Sequence, residues 1–227
     1  MNSTDRARLG RIWIETGLGE HASVAAFARF VLHLLSLGTP PDLLLDAIQA
    51  MEDEVHHARL CFGIARQFTG ESAGPGRMDI SGVLDQGDDA SSILRAAILE
   101  GCFEETVSAA YAQVALERVK EPSIRAVLAR IADDESKHAD LAWRFVNWTL
   151  QTFPELKPTA QECFTLALTK PLVTEKEDDW ALLEAYGQLL PDTKRKARET
   201  TLQDIILPRV VALLGRFPAS GESESIL

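Results

Sequence analysis

The sequence predicts an all-α protein: a bundle of four long helices joined by short, long and short connections, with additional helices at the C-terminal end. Three observations predict it. Apolar residues recur at three- and four-residue spacing over most of the chain, glycine and proline punctuate it at only a few places, and runs with strand alternation are nearly absent. The order of connection lengths is that of a four-helix bundle with one long crossover.

The first helix, 5–37, carries the stripe Leu9, Trp13, Val24, Phe27, Val31 and Leu34. Gly38-Thr39-Pro40-Pro41 ends it and starts the second, with Gly just past one terminus and Pro at the next beginning. The second helix passes through Leu44, Ile48, Met51, Val55 and Leu60 to about Phe68. Residues 69–89 are rich in Gly, Ser, Asp and Pro, and their length exceeds an ordinary helical hairpin, which predicts the crossover. Asp88 or Asp89 caps a third helix, 90–120, and Glu121-Pro122-Ser123 turns the chain into a fourth, 123–151. Pro154 and Pro158 close this unit, so residues 1–153 form the bundle. Residues 154–217 are expected to be a helical extension packed on it, with helices at 159–169, 178–190 and 192–216 and a kink at Pro208. Residues 218–227 are expected to be a flexible tail.

Charge narrows the partners. The chain has 34 acidic against 23 basic residues, a net charge of -11, whereas nucleic-acid phosphate or an anionic membrane calls for a basic face. Neither nucleic acid nor membrane is therefore expected as a partner. No apolar run approaches the roughly 20 residues of a membrane span, and no signal-peptide core follows Met1, which predicts a cytoplasmic protein. Cys61, Cys102 and Cys163 lie far apart with no CxxC pair, against a disulfide scaffold, a zinc ribbon or a rubredoxin-type iron site.

The chain repeats itself. The segment from Ile14 to Phe27 aligns with that from Ile98 to Tyr111, matching Gly17 with Gly101 and Glu20 with Glu104 at an offset of 84 residues. Asp53-Glu54-Val55-His56-His57 aligns with Asp134-Glu135-Ser136-Lys137-His138 at an offset of 81, the longer first turn absorbing the difference. Helices one and two thus correspond to helices three and four.

Both copies carry Asp-Glu-x-x-His on a helix, and both have a Glu on the preceding helix. Residues i and i+3 share a helix face, so Glu54 stands beside His57 and Glu135 beside His138. Carboxylate and imidazole together suit a divalent transition metal such as iron or manganese. If the halves pack about a two-fold axis, four Glu and two His converge inside the bundle. Four carboxylates buried without countercharge would cost several kcal/mol each. Two divalent ions neutralise them, which is the physical reason to expect a pair of metals.

A Glu, some thirty residues, then Asp-Glu-x-x-His, present twice, resembles the ferritin-like superfamily of carboxylate-bridged di-iron proteins, which includes rubrerythrins, bacterioferritins and di-iron oxygenases. The resemblance covers residues 14–145. It implies a ferritin-like bundle in which Glu20 and Glu104 are terminal ligands, Glu54 and Glu135 bridge, and His57 and His138 give one nitrogen to each of two iron ions, manganese fitting the same ligands. Asp53 and Asp134 would then stand behind the ligand imidazoles and fix their tautomers. The implied activity is that of an oxidoreductase acting on O2 or peroxide with an external electron donor. An oxygenase or hydroxylase of a small substrate is the leading expectation, with a rubrerythrin-like peroxidase or ferritin-like iron oxidation and storage as alternatives. A monomer or homodimer is expected over a storage shell. Val55 stands where bacterioferritin-like chains place a haem-ligating Met, so no haem is expected.

Further residues near this set divide between roles. Glu104 is chosen on helix three by its alignment with Glu20, while Glu100, one turn earlier, is a candidate extra ligand or proton relay, and Glu105 is another candidate. Tyr111 lies two turns beyond Glu104 as a relay or, like its counterpart Phe27, a core aromatic. Gly17 and Gly101 signal either close helix packing or a pocket beside the metals. His21, His33, His56 and Cys61 read as ordinary side chains.

Overall fold

The structure is a computed structural model that describes residues 1–85, 87–169 and 182–215. It is all-helical, with no strand among the described residues. Four long helices come first. Helix α1 is Ser3–Leu37 and α2 is Pro41–Thr69. The third long helix, 90–118, has three windings: α3 (Ala90–Ala96), a π segment (Ala97–Glu105) and α4 (Thr106–Arg118). The fourth, α5, is Pro122–Thr152.

Local chemistry sets the ends. Asn2 caps α1 by accepting from the Asp5 amide at 2.8 Å. Gly38, at φ 64°, stops it in the left-handed conformation, its N–H returning to the Leu34 and Leu35 carbonyls. Pro41 and Pro122 occupy first-turn positions, where no N–H is needed. Asp89 accepts from the Ser91 and Ser92 amides at 3.0 and 3.1 Å and starts α3 after the long connection.

Helix α1 lies along α2, and α5 packs on α2, α4 and the π segment. Two apolar clusters fill the interior. One includes Phe27, Leu34, Ala47, Ile98, Phe103 and Phe145, and the other includes Leu9, Trp13, Cys61, Ile64, Ile124 and Leu128. Along α2 and α5 the buried acids and histidines Glu54, His57, Glu135 and His138 fall between these two sets. The bundle therefore has an oily half at each end and a polar waist.

Beyond 153 the chain continues with a 3-10 turn (Pro154–Leu156) and α6 (Lys157–Thr169), which packs on the π segment and α3. Only one helical turn, α7 (Leu182–Ala185), falls in the helix expected at 178–190, whose first four residues lie outside the described ones. Gly187 at φ 81° reverses the chain there, with Ile124, Leu128 and Trp13 so near that a side chain would collide. This segment straps the bundle end: the Trp13 indole donates to the Tyr186 carbonyl at 3.2 Å, and the Lys120 amide to the Ala185 carbonyl at 2.9 Å. Helix α8 (Pro191–Thr201) lies against α4 and runs through a second π segment (Leu202–Ile206) into α9 (Leu207–Leu214). At the site of the expected kink, Pro208 has no N–H for the preceding turn, and the Leu207 amide reaches back to the Leu202 carbonyl, a wider turn. The expected tail at 218–227 lies outside the described residues.

The paired glycines serve close packing. A Cβ on Gly101 would sit 2.5 Å from the Cβ of Ala142, and one on Gly17 would sit 3.2 Å from Cys61 and Phe62. Gly101→Ala should lower stability by roughly 1–3 kcal/mol, an overpacking cost exceeding the better helix propensity of alanine. Denaturant midpoints test this, and Ala142→Gly in the same chain should recover most of the loss.

Candidate metal centre

The two Asp-Glu-x-x-His segments face each other from α2 and α5 at the middle of the bundle, with the His57 and His138 ring centroids 6.0 Å apart. Among the described residues two groups could hold a metal ion: Glu20, Glu54, His57 and Glu135; and Glu54, Glu105, Glu135 and His138. In each, one ligand atom per residue lies within 4.8 Å of the others. Glu54 and Glu135 belong to both groups, with 1% and 5% of their surface exposed. Five of the six side chains expected from the sequence, Glu20, Glu54, His57, Glu135 and His138, are thus brought together.

The sixth place corrects the sequence reading. Glu105, and not Glu104, completes the second group. Glu104 points outward, its side chain 59% exposed and 3.7 Å from Arg198 on α8. The cause is the winding of the helix. A regular helix carries the match of Gly17 with Gly101 forward to Glu20 and Glu104. The π segment ends at Glu105, and its wider turns insert one residue, so the inward place falls one position later. Thr106 closes the π segment, its hydroxyl donating to the Cys102 carbonyl at 2.7 Å and accepting from the Trp143 indole at 3.2 Å. A signal existed in the sequence: the apolar stripe Ile98, Cys102 continues three residues on to Glu105, whereas Glu104 lies off it.

Behind the imidazoles the two halves cross over. Asp134 of α5 lies 3.3 Å from His57 Nε2 on α2, and Asp53 of α2 lies 3.5 Å from His138 Nε2 on α5. The far nitrogen of each ring therefore faces an Asp, and each Nδ1 faces the glutamates. Gln49 donates to Asp53 at 3.1 Å, while Lys137, at 3.0 Å, and Arg130 hold Asp134. Burial opposes ionisation of Asp134, but Lys137 and His57 outweigh it and keep its carboxyl below the usual range.

The other expected residues belong to neither donor group. Glu100 is half exposed and paired with Arg29 across to α1. Tyr111 is partly buried against both apolar clusters. His56 is paired with Glu52 on the helix surface. Cys61 is fully buried, and burial pushes its thiol well up, leaving it a packing residue.

The electrostatics are those of a donor set lacking countercharge. Burial raises Glu54 to about 7, and burial with the neighbouring Glu135 and Glu54 raises Glu105 well above its usual value. Burial alone would lower His57, yet the Glu135 and Glu20 carboxylates overcome it and push the ring up to about 11. Glu54 Oε2, His57 Nδ1 and both ring nitrogens of His138 are buried without a hydrogen bond among the described residues. Carboxylate oxygens lie 3.4–3.8 Å from His57 Nδ1 and 3.2–3.9 Å from His138 Nδ1, too far or too poorly aligned to bond. A buried unpaired polar group costs about 1–3 kcal/mol. Several of them converging on one point, with oxygen and imidazole donors mixed, fit a transition-metal cation. Compared with known proteins, the chain matches no family model, no curated protein and no solved structure.

Two outcomes follow. Glu105→Gln should weaken metal binding by more than the roughly 10–100-fold typical of losing an outer hydrogen-bonding partner. Glu104→Gln should leave metal content unchanged, as elemental analysis after equilibrium dialysis would show. Metal binding should also release protons. Without metal, His57 remains charged up to about pH 11 and Glu54 is substantially protonated below about 7. Affinity should therefore rise with pH by about one log unit per pH unit for each proton displaced, more steeply below pH 7 than above it. Calorimetry in buffers of different ionisation enthalpy counts those protons.

Proposed function

We propose that the chain is a non-haem di-iron oxidoreductase of ferritin-like architecture that activates O2 or peroxide and oxidises a small organic substrate, as an oxygenase or hydroxylase does. The observation that carries this reading is the sharing of Glu54 and Glu135 between two donor groups that each add one Glu and one His. Four carboxylates balance two divalent cations, and two shared carboxylates are what a bridged pair requires. When bound, such a pair supplies Lewis acidity and electrons to an oxygen species.

The protein's own groups do the rest. Glu54 and Glu135, on two different helices, would hold both ions. Asp134, 3.3 Å from Nε2 of His57, and Asp53, 3.5 Å from Nε2 of His138, stand where they would favour the proton on the far nitrogen once a cation took Nδ1 of each ring. Phe27 lies edge-on to His138 at 5.0 Å and shields it from water. An apolar cleft between α1 and the third long helix reaches Glu105 and His138, giving a nonpolar molecule access to one side. Reducing equivalents would come from an external donor, as the resemblance implies.

Iron oxidation and storage is the second reading, and it draws on a separate cavity. That cavity has mixed walls, Thr16, Ser23 and Ser108 beside Trp13, Leu128 and Ile131, and it reaches Glu20, Glu54 and Glu135, which gives a small hydrated ion a way to the carboxylates. The assembly separates the two: a monomer or homodimer on sizing chromatography supports catalysis, and a shell of many copies supports storage.

Aerobically purified protein should hold two metal ions per chain. Glu54→Ala or Glu135→Ala should abolish binding of both, because each carboxylate serves both positions. Unchanged stoichiometry in either variant would overturn the bridged pair.

A further inference from the structure

The cleft that reaches Glu105 and His138 lies between α1 and the third long helix and opens to solvent. Phe27, Phe30, Leu141 and the small residues Ala26, Ala97 and Gly101 give it largely hydrocarbon walls. Two polar residues of α1, one helical turn apart, interrupt them: Arg29 and His33. The Arg29 side chain is only 10% exposed, an uncommon setting for a guanidinium. Its partner among the described residues is Glu100, reached through one terminal nitrogen. Glu100 is itself 47% exposed and can turn to water at little cost.

A guanidinium has five donors and matches a carboxylate with two parallel bonds. With Glu100 taking its charge through a single nitrogen, donors of Arg29 remain for a second acceptor. His33 is held below its ordinary pKa by burial and by Arg29, so near neutral pH it adds a neutral donor or acceptor and no second positive charge. One cation beside hydrocarbon walls favours a single negative charge on an apolar body over a doubly charged phosphate.

We propose that this cleft is the binding site for a small amphiphilic carboxylic acid, its carboxylate on Arg29 in place of Glu100 and its carbon skeleton along Phe27, Phe30 and Leu141 toward Glu105 and His138. The placement of an oxidisable carbon beside the metal centre rests on the function proposed above. The recognition of the carboxylate by Arg29 does not.

Octanoate, octanamide and octyl phosphate are suitable probes, titrated calorimetrically into metal-loaded protein and into metal-depleted protein. Octanoate should bind wild type in both forms. Arg29→Gln should weaken it at least tenfold with full metal content retained, and Glu100→Gln should tighten it severalfold by removing the competing carboxylate. Octanamide should bind weakly and equally to all three. Circular dichroism confirms that each variant is folded, and the opposite directions expected for two partners of one ion pair exclude a general loss of structure. No binding of octanoate to wild type at millimolar concentration, equal affinity in Arg29→Gln, or preference for octyl phosphate would overturn the proposal. Binding that holds in metal-depleted protein while metal loading fails would instead overturn the di-iron reading and leave the carboxylate site standing.

Discussion

The structure depends on one unfavourable fact, the burial of several carboxylates in the waist of a helical bundle. Glu54 and Glu135 are almost wholly enclosed, and Glu20 and Glu105 approach them from the other two long helices. Each ionised group taken from water costs several kcal/mol unless an opposite charge meets it. Without a cation the cluster answers by holding protons, on His57 and in part on Glu54. The apolar clusters above and below make this worse, since they exclude the water that would otherwise soften the repulsion. A fold of this kind is stable because the surrounding helices bury so much hydrocarbon, and the waist is what that stability is used to hold in place.

Much of this was legible in the sequence because the features concerned are periodic. Four helices, their order and their connections followed from the 3.6-residue repeat and from Gly38, Pro41 and Pro122. Two Asp-Glu-x-x-His motifs announced their own geometry, since i and i+3 share a face whatever surrounds them. The family resemblance also implied Asp53 and Asp134 behind the imidazoles. What failed was the assumption that a helix keeps one winding. Choosing Glu104 by counting from Gly101 is sound for an α-helix and wrong by one residue across a π segment, and nothing in Cys102-Phe103-Glu104-Glu105 advertises the change in hydrogen bonding by composition alone. The strap around Tyr186 and Gly187 was missed for another reason: its shape is set by distant partners, Trp13 and Ile124, and a local pattern carries no record of them.

The segments after residue 153 take part in this arrangement. Helix α6 packs against the π segment, and Arg198 of α8 meets Glu104 on its outer side. Of two adjacent glutamates, one faces a guanidinium outside and the other the carboxylates inside. The outer contact therefore favours the register that sends Glu105 inward. In the same way Glu100, on the π segment's other exposed side, meets Arg29 of α1. The wide turn is held from both flanks.

The crossing of Asp53 to His138 and Asp134 to His57 makes the two hairpins mutually dependent. Each helical hairpin supplies the support for the other's imidazole and none for its own. A single hairpin in isolation would leave its histidine unbraced, while two identical hairpins related by a dyad would satisfy both contacts at once. The pairing therefore needs both hairpins at once, and the two halves of the bundle depend on each other for the orientation of their histidines. The two halves are not identical in this respect: Lys137 and Arg130 approach Asp134, where the Gln49 amide meets Asp53, so the two supports carry different charge.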